Sequence, residues 1–351
     1  ILFAFSSLHH LYKKLDPVIP EEELPGVSIL KPLTGVDINL KSNLETFFTQ
    51  KYPKYELLFS VQDDNDPAIL VVKSLIDSYP KVDAKLFIGL KVVGPNGKIN
   101  NMVRSYEAAK YDNIVISDTS IKMTPSTLYE MVHCLKPHVG LVLQMPYCAT
   151  RKGFGAIYQQ VYFGTMQARN CLSANAVNIN CSTGMSSLLR RDVLDKAGGL
   201  AEFGKYLAED FFIAEAIRSQ GYKVVLSTTP ALQNSGNSSI TDFHSRLIRY
   251  VVDSHSMTLF DVSPLGFFMG HFLVWFLSDY ILFRIVENGP LPFSKFEFLV
   301  AWLMRELLSP YIILSAHLQN HVVWRNQKYK LHWGGKVVVP VTSSLDAVAV
   351  S

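Results

Sequence analysis

Short apolar runs alternate with longer amphipathic segments from Pro25 to about Leu226. The short runs are rich in valine and isoleucine and predict buried strands, whereas the longer segments predict helices. This alternation is typical of an α/β fold, in which helices cover both faces of a mostly parallel sheet. Ligands of such sheets bind beyond the carboxyl ends of the strands. The predicted strands are Val27–Leu30, Glu56–Val61, Lys85–Leu90, Asn113–Ser117, Val139–Gln144 and Lys223–Ser227, and the predicted helices are Leu40–Phe48, Ala68–Ser78 and Pro125–Leu135.

The pattern changes after Pro264, where two long apolar stretches follow each other. Pro264–Phe283 is interrupted only by His271 and Asp279, and its length matches one crossing of a hydrocarbon core about 30 Å thick. Phe296–Leu318 contains the adjacent charges Arg305-Glu306, which are costly at mid-depth unless they face protein or water. We expect membrane-associated helices here. A kinked span, a re-entrant pair and a helix packed on the first all remain open for the second stretch.

The first residues are also apolar. Ile1–Phe5 precedes the cationic or titratable side chains of His9, His10, Lys13 and Lys14. Positive charge directly after an apolar stretch is typical of a membrane helix whose following domain lies in the cytoplasm. We therefore expect the end of a membrane anchor, with a buried or disordered start as the alternative.

Composition narrows the class of protein. The 351 residues are 48% apolar and 18% charged, against about 25% charged in ordinary soluble domains. This excludes a disordered chain, and a mean hydropathy of +0.16 indicates that part of the chain contacts lipid. A formal charge of +3 is too small to indicate a nucleic-acid partner. The four cysteines lack zinc spacing, and a disulfide framework is not expected in a chain of this length, which favours a reducing compartment.

Acidic residues follow strand ends or begin helices at three places. They are the cluster Asp63–Asp66, Asp118 and the pair Glu209-Asp210. Carboxylates that crowd at one edge of a sheet repel one another unless a cation or a polyol ligand binds there. Asp66 alone is equally explained as a helix cap before Pro67. As a set, the acids predict a ligand site.

Cations and small polar residues accompany the acids. Lys98 follows the turn Gly94–Gly97 and is predicted to lie on a loop, where it can pair with the acids or with a phosphate. The polar turn Ser182–Met185 precedes a predicted helix at Leu188–Leu194, and free N–H groups at a helix start suit an anion or a sugar hydroxyl. Cys181, beside this turn, is as well explained as a small buried hydrophobe.

Arg246 and Arg249 lie three residues apart, on one face of a predicted helix. Two guanidinium groups on one face suit a diphosphate. Alternatively, the two arginines flank a membrane segment, because cationic side chains are common near lipid headgroups.

The residues above belong to a larger pattern. The chain resembles the GT-A glycosyltransferases and, among them, the ceramide glucosyltransferases, over nearly its whole length. The three acidic motifs and the (Q/R)-x-x-R-W motif of that family lie here at Asp63–Asp66, Asp118, Asp210 and Arg246–Tyr250. Further matching stretches are Lys31–Leu33, Asn43–Phe48, Tyr52–Glu56, Lys98–Asn101, Gln160–Thr165, Ala208–Asp210 and Gln233–Gly236.

The resemblance implies a Rossmann-like GT-A fold and the inverting transfer of glucose from UDP-glucose to the primary hydroxyl of ceramide. It implies a Golgi membrane enzyme, multi-pass, that works on the cytosolic face with a divalent cation, Mg²⁺ or Mn²⁺. Asp210 is then the general base and Asp118 binds the metal. The residues expected to bind the donor are Asp63, Asp66, Lys98, Asp118, Arg246, Arg249 and Tyr250.

Two positions depart from the family pattern. Tyr250 replaces the motif's tryptophan, which keeps an aromatic face but is smaller and adds a hydroxyl. Gln167 stands where the family has a histidine, and an amide hydrogen-bonds but does not titrate. Asp118 is followed by Thr119-Ser120, so a metal there needs diphosphate oxygens and water as further ligands.

The expected organisation has four parts. Residues 1–24 are the end of a truncated anchor with its linker, 25–260 the catalytic domain, 261–335 the membrane-associated helices and 336–351 a tail. Processive polysaccharide synthases and polyisoprenyl-phosphate sugar transferases are the nearest rival enzymes. Two apolar stretches are too few for the channel of a processive enzyme. A non-catalytic lipid-binding relative is the other rival, and the retained acids argue against it.

Overall fold

A computed structural model describes residues 11–13, 15, 19–149, 153–176, 180–236, 240, 243, 265–318, 321–324, 327–331 and 337–338. The strands are β1 (Val27–Leu33), β2 (Tyr55–Val61), β3 (Asp83–Ile88), β4 (Asn113–Ser117), β5 (Ile121–Lys122), β6 (Val139–Leu143), β7 (Pro146–Cys148), β8 (Ser186–Arg190), β9 (Lys223–Leu226), β10 (Ala231–Gln233), β11 (His321–Trp324), β12 (Gln327–Leu331) and β13 (Val337–Val338).

The helices alternate with the strands up to β9. They are α1 (Leu40–Phe48), α2 (Ala68–Ser78), α3 (Gly97–Glu107), α4 (Thr127–Cys134), α5 (Phe154–Tyr162), α6 (Ala168–Ala176), α7 (Arg191–Lys196), α8 (Glu209–Ser219), α9 (Leu265–Glu287) and α10 (Lys295–Leu318). A π-helical segment (Phe163–Gln167) joins α5 to α6, and short 3₁₀ helices occupy Glu21–Glu23 and Leu200–Lys205.

A seven-stranded sheet in the order β3-β2-β1-β4-β8-β6-β9 forms the centre of the described chain. Its pairs β3-β2, β2-β1, β1-β4 and β6-β9 are parallel, whereas β8 runs antiparallel to both β4 and β6. The mostly parallel α/β fold predicted from the sequence is therefore confirmed. All seven residues of β1 are buried, as expected for a central strand covered on both faces.

The antiparallel strand β8 corrects one prediction. The sequence predicted a helix at Leu188–Leu194, but Ser186–Arg190 is a strand and the helix begins only at Arg191. Leu188 and Leu189 are fully buried between the neighbouring strands β4 and β6. An apolar run this short does not distinguish a strand from a buried helix, so the neighbouring strands decide it.

The C-terminal helices α9 and α10 pack against α5 and the π-helical segment. Asp279 of α9 is 1% exposed and lies at the centre of their contact. It accepts hydrogen bonds from Arg305 (2.8 Å) and Trp302 (3.0 Å) of α10, and from Arg169 of α6 (2.7 Å). Arg305 thus faces protein and is paired, which is the condition under which a charge within an apolar helix is tolerated.

The helix α10 contains a segment, Lys295–Ala316, that is long and apolar enough to cross a membrane. Both C-terminal helices also expose apolar side chains. These are Leu273, Val274, Leu277 and Ile281 on α9, and Leu307 and Leu314 on α10. After α10, β11, β12 and β13 form a small antiparallel sheet that the sequence analysis did not anticipate.

Candidate active site

Asp118 directly follows β4, at the carboxyl edge of the central sheet. Because β8 runs antiparallel to β4, the start of β8 lies at this same edge, and Ser117 pairs with Ser186. The Asp118 N–H donates to the carbonyl of Met185 at 2.9 Å. The antiparallel strand therefore brings the turn Ser182–Met185 beside Asp118.

Lys98 joins two of the acidic sites. Its Nζ lies 2.9 Å from Asp118 Oδ1 and 3.0 Å from Glu209 Oε1, and it donates to the carbonyl of Gly184 at 2.8 Å. These four residues are called the Lys98 cluster below. The Lys98 side chain is 13% exposed, so the ion pairs are only weakly screened by water. The expectation of a loop lysine is wrong: Lys98 lies in the first turn of α3.

Asn96 holds the cluster in place and was missed by the sequence analysis. Its Oδ1 accepts the N–H groups of Lys98 and Ile99, so it is the N-cap of α3. Its Nδ2 donates to Glu209 Oε2 at 2.9 Å and to the carbonyl of Tyr206 at 2.8 Å. Glu209 is thereby bound at both oxygens. An asparagine after a Gly-Pro turn is a cap signal that was available in the sequence.

Asp210 begins α8 beside Glu209 and contacts the turn of the Lys98 cluster. Gly184 adopts φ +64°, and a side chain there would approach Asp210 Cγ to 3.3 Å. A pocket is lined by Lys98, Glu209 and Asp210 together with apolar residues of α3, β4, β6, β8 and α8. Burial in this pocket, together with the charge of Glu209, raises the pKa of Asp210 to about 6, and Lys98 opposes the shift.

A buried lysine lies beneath Asp118. Lys31 of β1 is 1% exposed, and its Nζ donates to the carbonyl of Asp118 and to Ser117 Oγ (3.2 Å). The ammonium lies 3.9 Å from the ring centre of Phe47, where a cation–π contact stabilises it. Burial lowers the pKa of Lys31 well below its usual range, and Asp118 opposes the shift. Lys31 therefore fixes the backbone that carries Asp118.

The first acidic motif has a different arrangement. Asp66 accepts the N–H groups of Gly35 (2.7 Å) and Ala68 (2.8 Å), so it ties the loop after β1 to the start of α2. Asp63 is exposed, and its Oδ1 accepts the N–H of Asn65 at 2.9 Å. Within the described residues, no contact joins Asp63 or Asp66 to the Lys98 cluster. Both aspartates lie beyond the carboxyl end of β2, near the loop that follows β1.

The remaining predicted site residues separate into two groups. Arg246, Arg249 and Tyr250 lie outside the described residues. Gln167 lies in the π-helical segment, with its Nε2 3.6 Å from Cys171 Sγ, and Cys171 in turn contacts Cys181. Cys181 directly precedes the turn Ser182–Met185. A chain of contacts through Cys171 and Cys181 therefore connects Gln167 to this turn.

The fold and the sequence are both similar to those of known glycosyltransferases. The fold is that of a glycosyltransferase: the mannosyltransferase PcManGT from Pyrobaculum calidifontis, solved in complex with GDP-Man and Mn²⁺, superposes with a TM-score of 0.54 at 17% identity. That superposition covers 91% of this chain and 93% of the other. The sequence profile of glycosyl transferase family 21 matches residues 1–260 and 251–337, so the chain belongs to this family and is a glycosyltransferase.

Three ceramide glucosyltransferases are similar to this chain over most of its length. Ceramide glucosyltransferase 3 of Caenorhabditis elegans is 41% identical over 95% of this chain and 77% of its own length. Ceramide glucosyltransferase 1 of the same organism is 39% identical over 100% of this chain and 80% of its own length. Ceramide glucosyltransferase of Komagataella phaffii is 27% identical over 91% of this chain and 84% of its own length.

Proposed function

We propose that this glycosyltransferase transfers glucose from UDP-glucose to the primary hydroxyl of ceramide, with inversion at the anomeric carbon. The relatives that span nearly the whole chain are the observation that carries the choice of substrates. The site supports the chemistry, because Asp210 and the cation Lys98 line the same pocket. The product is glucosylceramide.

The acceptor step needs a base. A primary alcohol is a weak nucleophile at neutral pH, and a carboxylate that removes its proton during attack contributes about 10²–10⁴-fold to the rate. Asp210 is suited to this role because its raised pKa makes it a better proton acceptor than an ordinary aspartate while it stays mostly ionised near pH 7. Glu209 is less suited, since Lys98 and Asn96 bind both of its oxygens.

The donor is assigned to the same edge of the sheet. Lys98 is proposed to balance negative charge that develops on the leaving diphosphate, and Arg246 and Arg249 are proposed to bind its oxygens. Asp63 and Asp66 are assigned to uridine or its ribose, because they lie beyond the carboxyl end of β2. Tyr250 is assigned to packing against the donor.

A divalent cation fits this site only in part. Asp118 Oδ1 contacts Lys98, and the described residues contain no group of three or more His, Cys, Asp or Glu side chains that could hold a metal. Asp118 therefore suits an ion shared with the donor diphosphate and water. When bound, such an ion supplies positive charge to the leaving group.

The proposal is tested with purified protein and radiolabelled sugar nucleotides. We expect label to enter the lipid phase from UDP-glucose when ceramide is present, and not when ceramide is omitted. UDP-galactose serves as the matched donor. Equal transfer from both donors, or transfer to a polyisoprenyl phosphate in place of ceramide, would contradict the assignment.

The rate should depend on pH through Asp210. A base with a pKa of about 6 is protonated below that pH and cannot accept the ceramide proton. We therefore expect kcat to fall about tenfold for each pH unit below 6. If the base had the ordinary pKa of an aspartate, kcat would stay constant to below pH 5. A pH–rate profile under saturating substrate measures this, and a flat profile from pH 7 to pH 5 would exclude Asp210 as the base.

Arg249→Lys distinguishes a donor clamp from a membrane flank. A guanidinium binds two phosphate oxygens with a planar fork, and an ammonium does not. Lysine serves equally well near lipid headgroups. We expect the variant to insert into membranes normally, to lose most of its activity and to bind UDP weakly. Wild-type UDP affinity in this variant would leave only the flanking role.

We propose that the enzyme is a multi-pass Golgi membrane protein with its catalytic domain in the cytosol, residues 25–260, followed by membrane-associated helices. The exposed apolar side chains of α9 and α10 support contact with lipid. Asn180-Cys181-Ser182 and Asn237-Ser238-Ser239 match the N-glycosylation pattern, and neither is used on the cytosolic side. A glycosidase-sensitive shift in the mobility of the cell-expressed protein would contradict this topology.

A further inference from the structure

Two thiols lie in contact beside the active site. Cys171 Sγ of α6 and Cys181 Sγ are 3.3 Å apart, although ten residues separate them in the chain. Cys171 is 1% exposed, and Cys181 is partly exposed. A disulfide bond is about 2.05 Å long, so the two sulfur atoms need to approach by only about 1.2 Å to form one.

The surroundings of the two thiols shift their pKa values in opposite directions. Cys171 and Cys181 share a hydrogen bond, and this contact lowers the pKa of the Cys181 thiol. The same contact, with burial, raises the pKa of Cys171. The more exposed thiol is therefore also the one that ionises more readily, and thiolate character together with access sets reactivity toward oxidants.

We propose that Cys171 and Cys181 are a site of reversible oxidation. A peroxide oxidises the two thiols to a disulfide, and this disulfide lowers the transfer activity. In the first step the Cys181 thiolate attacks one peroxide oxygen, which gives a sulfenic acid and, after protonation of the leaving hydroxide, water. The Cys171 thiol then attacks the Cys181 sulfur and expels a second water. The two thiols together lose two protons and two electrons, and one peroxide is reduced to two waters.

The disulfide would act on the active site through the chain that follows Cys181. The next residues form the turn that supplies the Gly184 carbonyl to Lys98, and Gly184 packs against Asp210. Asn180, before Cys181, donates from Nδ2 to the carbonyl of Phe211 in α8 at 3.2 Å. Drawing Cys181 toward α6 therefore displaces both the Lys98 cluster and the helix that begins with Asp210.

Mass spectrometry tests the bond without depending on the proposed function. No lysine or arginine lies between Asn170 and Arg190, so one tryptic peptide carries both cysteines. After the full-length protein is treated with hydrogen peroxide, we expect this peptide to lose the mass of two hydrogens and to resist alkylation. Activity with UDP-glucose and ceramide is measured on the same samples, and we expect most of it to be lost and then restored by dithiothreitol.

Two variants sharpen the test. Cys171→Ala should abolish the two-hydrogen loss and leave added oxygen on Cys181 instead. Cys134→Ala, at a half-buried cysteine on α4 outside the Lys98 cluster, should behave as wild type. Alkylation of both cysteines after peroxide treatment would overturn the proposal, and so would a disulfide that leaves activity unchanged. If the disulfide forms in a protein that shows no ceramide-dependent transfer before oxidation, the proposed function fails while the oxidation site stands.

Discussion

Asp210→Asn is expected to lower turnover by about two to four decades while binding of UDP-glucose is kept. Asparagine has the same shape as aspartate but does not accept the proton of the attacking hydroxyl. The raised pKa of Asp210 means that the fold disfavours its ionised form, so a neutral amide should not destabilise the protein. Single-turnover kinetics, a UDP-glucose binding isotherm and a melting temperature measure the three effects separately.

Glu215→Gln is the matched control for this substitution. Glu215 lies on the same helix, and its partly exposed side chain makes only a weak 3.8 Å ion pair with Arg218. We expect wild-type turnover and stability in the control. Near-normal turnover in Asp210→Asn would remove Asp210 from the role of base, and equal losses in both variants would point to damage of α8 as a whole.

Lys98→Met is expected to reduce both stability and activity. The substitution leaves Glu209 buried without its cation and Asp118 without its partner, and breaking a buried ion pair costs about 3–5 kcal/mol. Partial exposure of Asp118 places the cost toward the lower end of this range. The donor KM should rise as well, because the diphosphate loses a counter-charge. Denaturant unfolding and steady-state kinetics measure the two effects.

The double variant Lys98→Met/Glu209→Gln separates these effects. Neutralising Glu209 removes the buried unpaired charge, so most of the lost free energy of unfolding should return while the donor KM stays high. Lys91→Met is the control, because Lys91 forms an exposed pair with Glu107, and such pairs contribute about 0–1 kcal/mol. Recovery of the donor KM together with stability would show that Lys98 acts only on the fold.

Local signals were sufficient for much of the fold. The predicted bounds of Leu40–Phe48, Ala68–Ser78 and Asn113–Ser117 agree with the structure. Asp66 accepts the N–H of Ala68, the first residue of α2, and Asp37 accepts that of Asn39, the N-cap of α1. Such contacts depend on residues two or three positions away, so a sequence reveals them.

The helix α3 shows why the rest was not predicted. It contains glycine and two asparagines, which have poor helix propensity. Its stability comes from distant contacts: Asn101 donates to the carbonyls of Leu33 and Ser60, on β1 and β2. The burial of Lys98 follows from this helix, and so it was missed together with the helix.

The acidic site was only partly predicted, because several of its contacts also join segments that are distant in the sequence. The sequence placed Asp118 and Asp210 at strand and helix ends, and the topology brings both residues to the Lys98 cluster. The sequence did not reveal that β8 inserts antiparallel between β4 and β6, which brings the carbonyl of Met185 to the Asp118 N–H. Nor did it reveal that Lys31, one residue of a buried strand, donates to the Asp118 carbonyl. Both depend on pairings between distant segments.

The configuration of the glycosidic bond in the product distinguishes a single displacement from every other mechanism of transfer. A single displacement assisted by Asp210 converts the α-linked glucose of UDP-glucose into a β-linked product. The purified protein is supplied with UDP-glucose and ceramide. The configuration of the product is then read from the NMR coupling constant of its anomeric proton and from its sensitivity to β-glucosidase. We expect β-glucosylceramide only; an α-linked product, or no glucosylated ceramide, would exclude a single displacement onto ceramide.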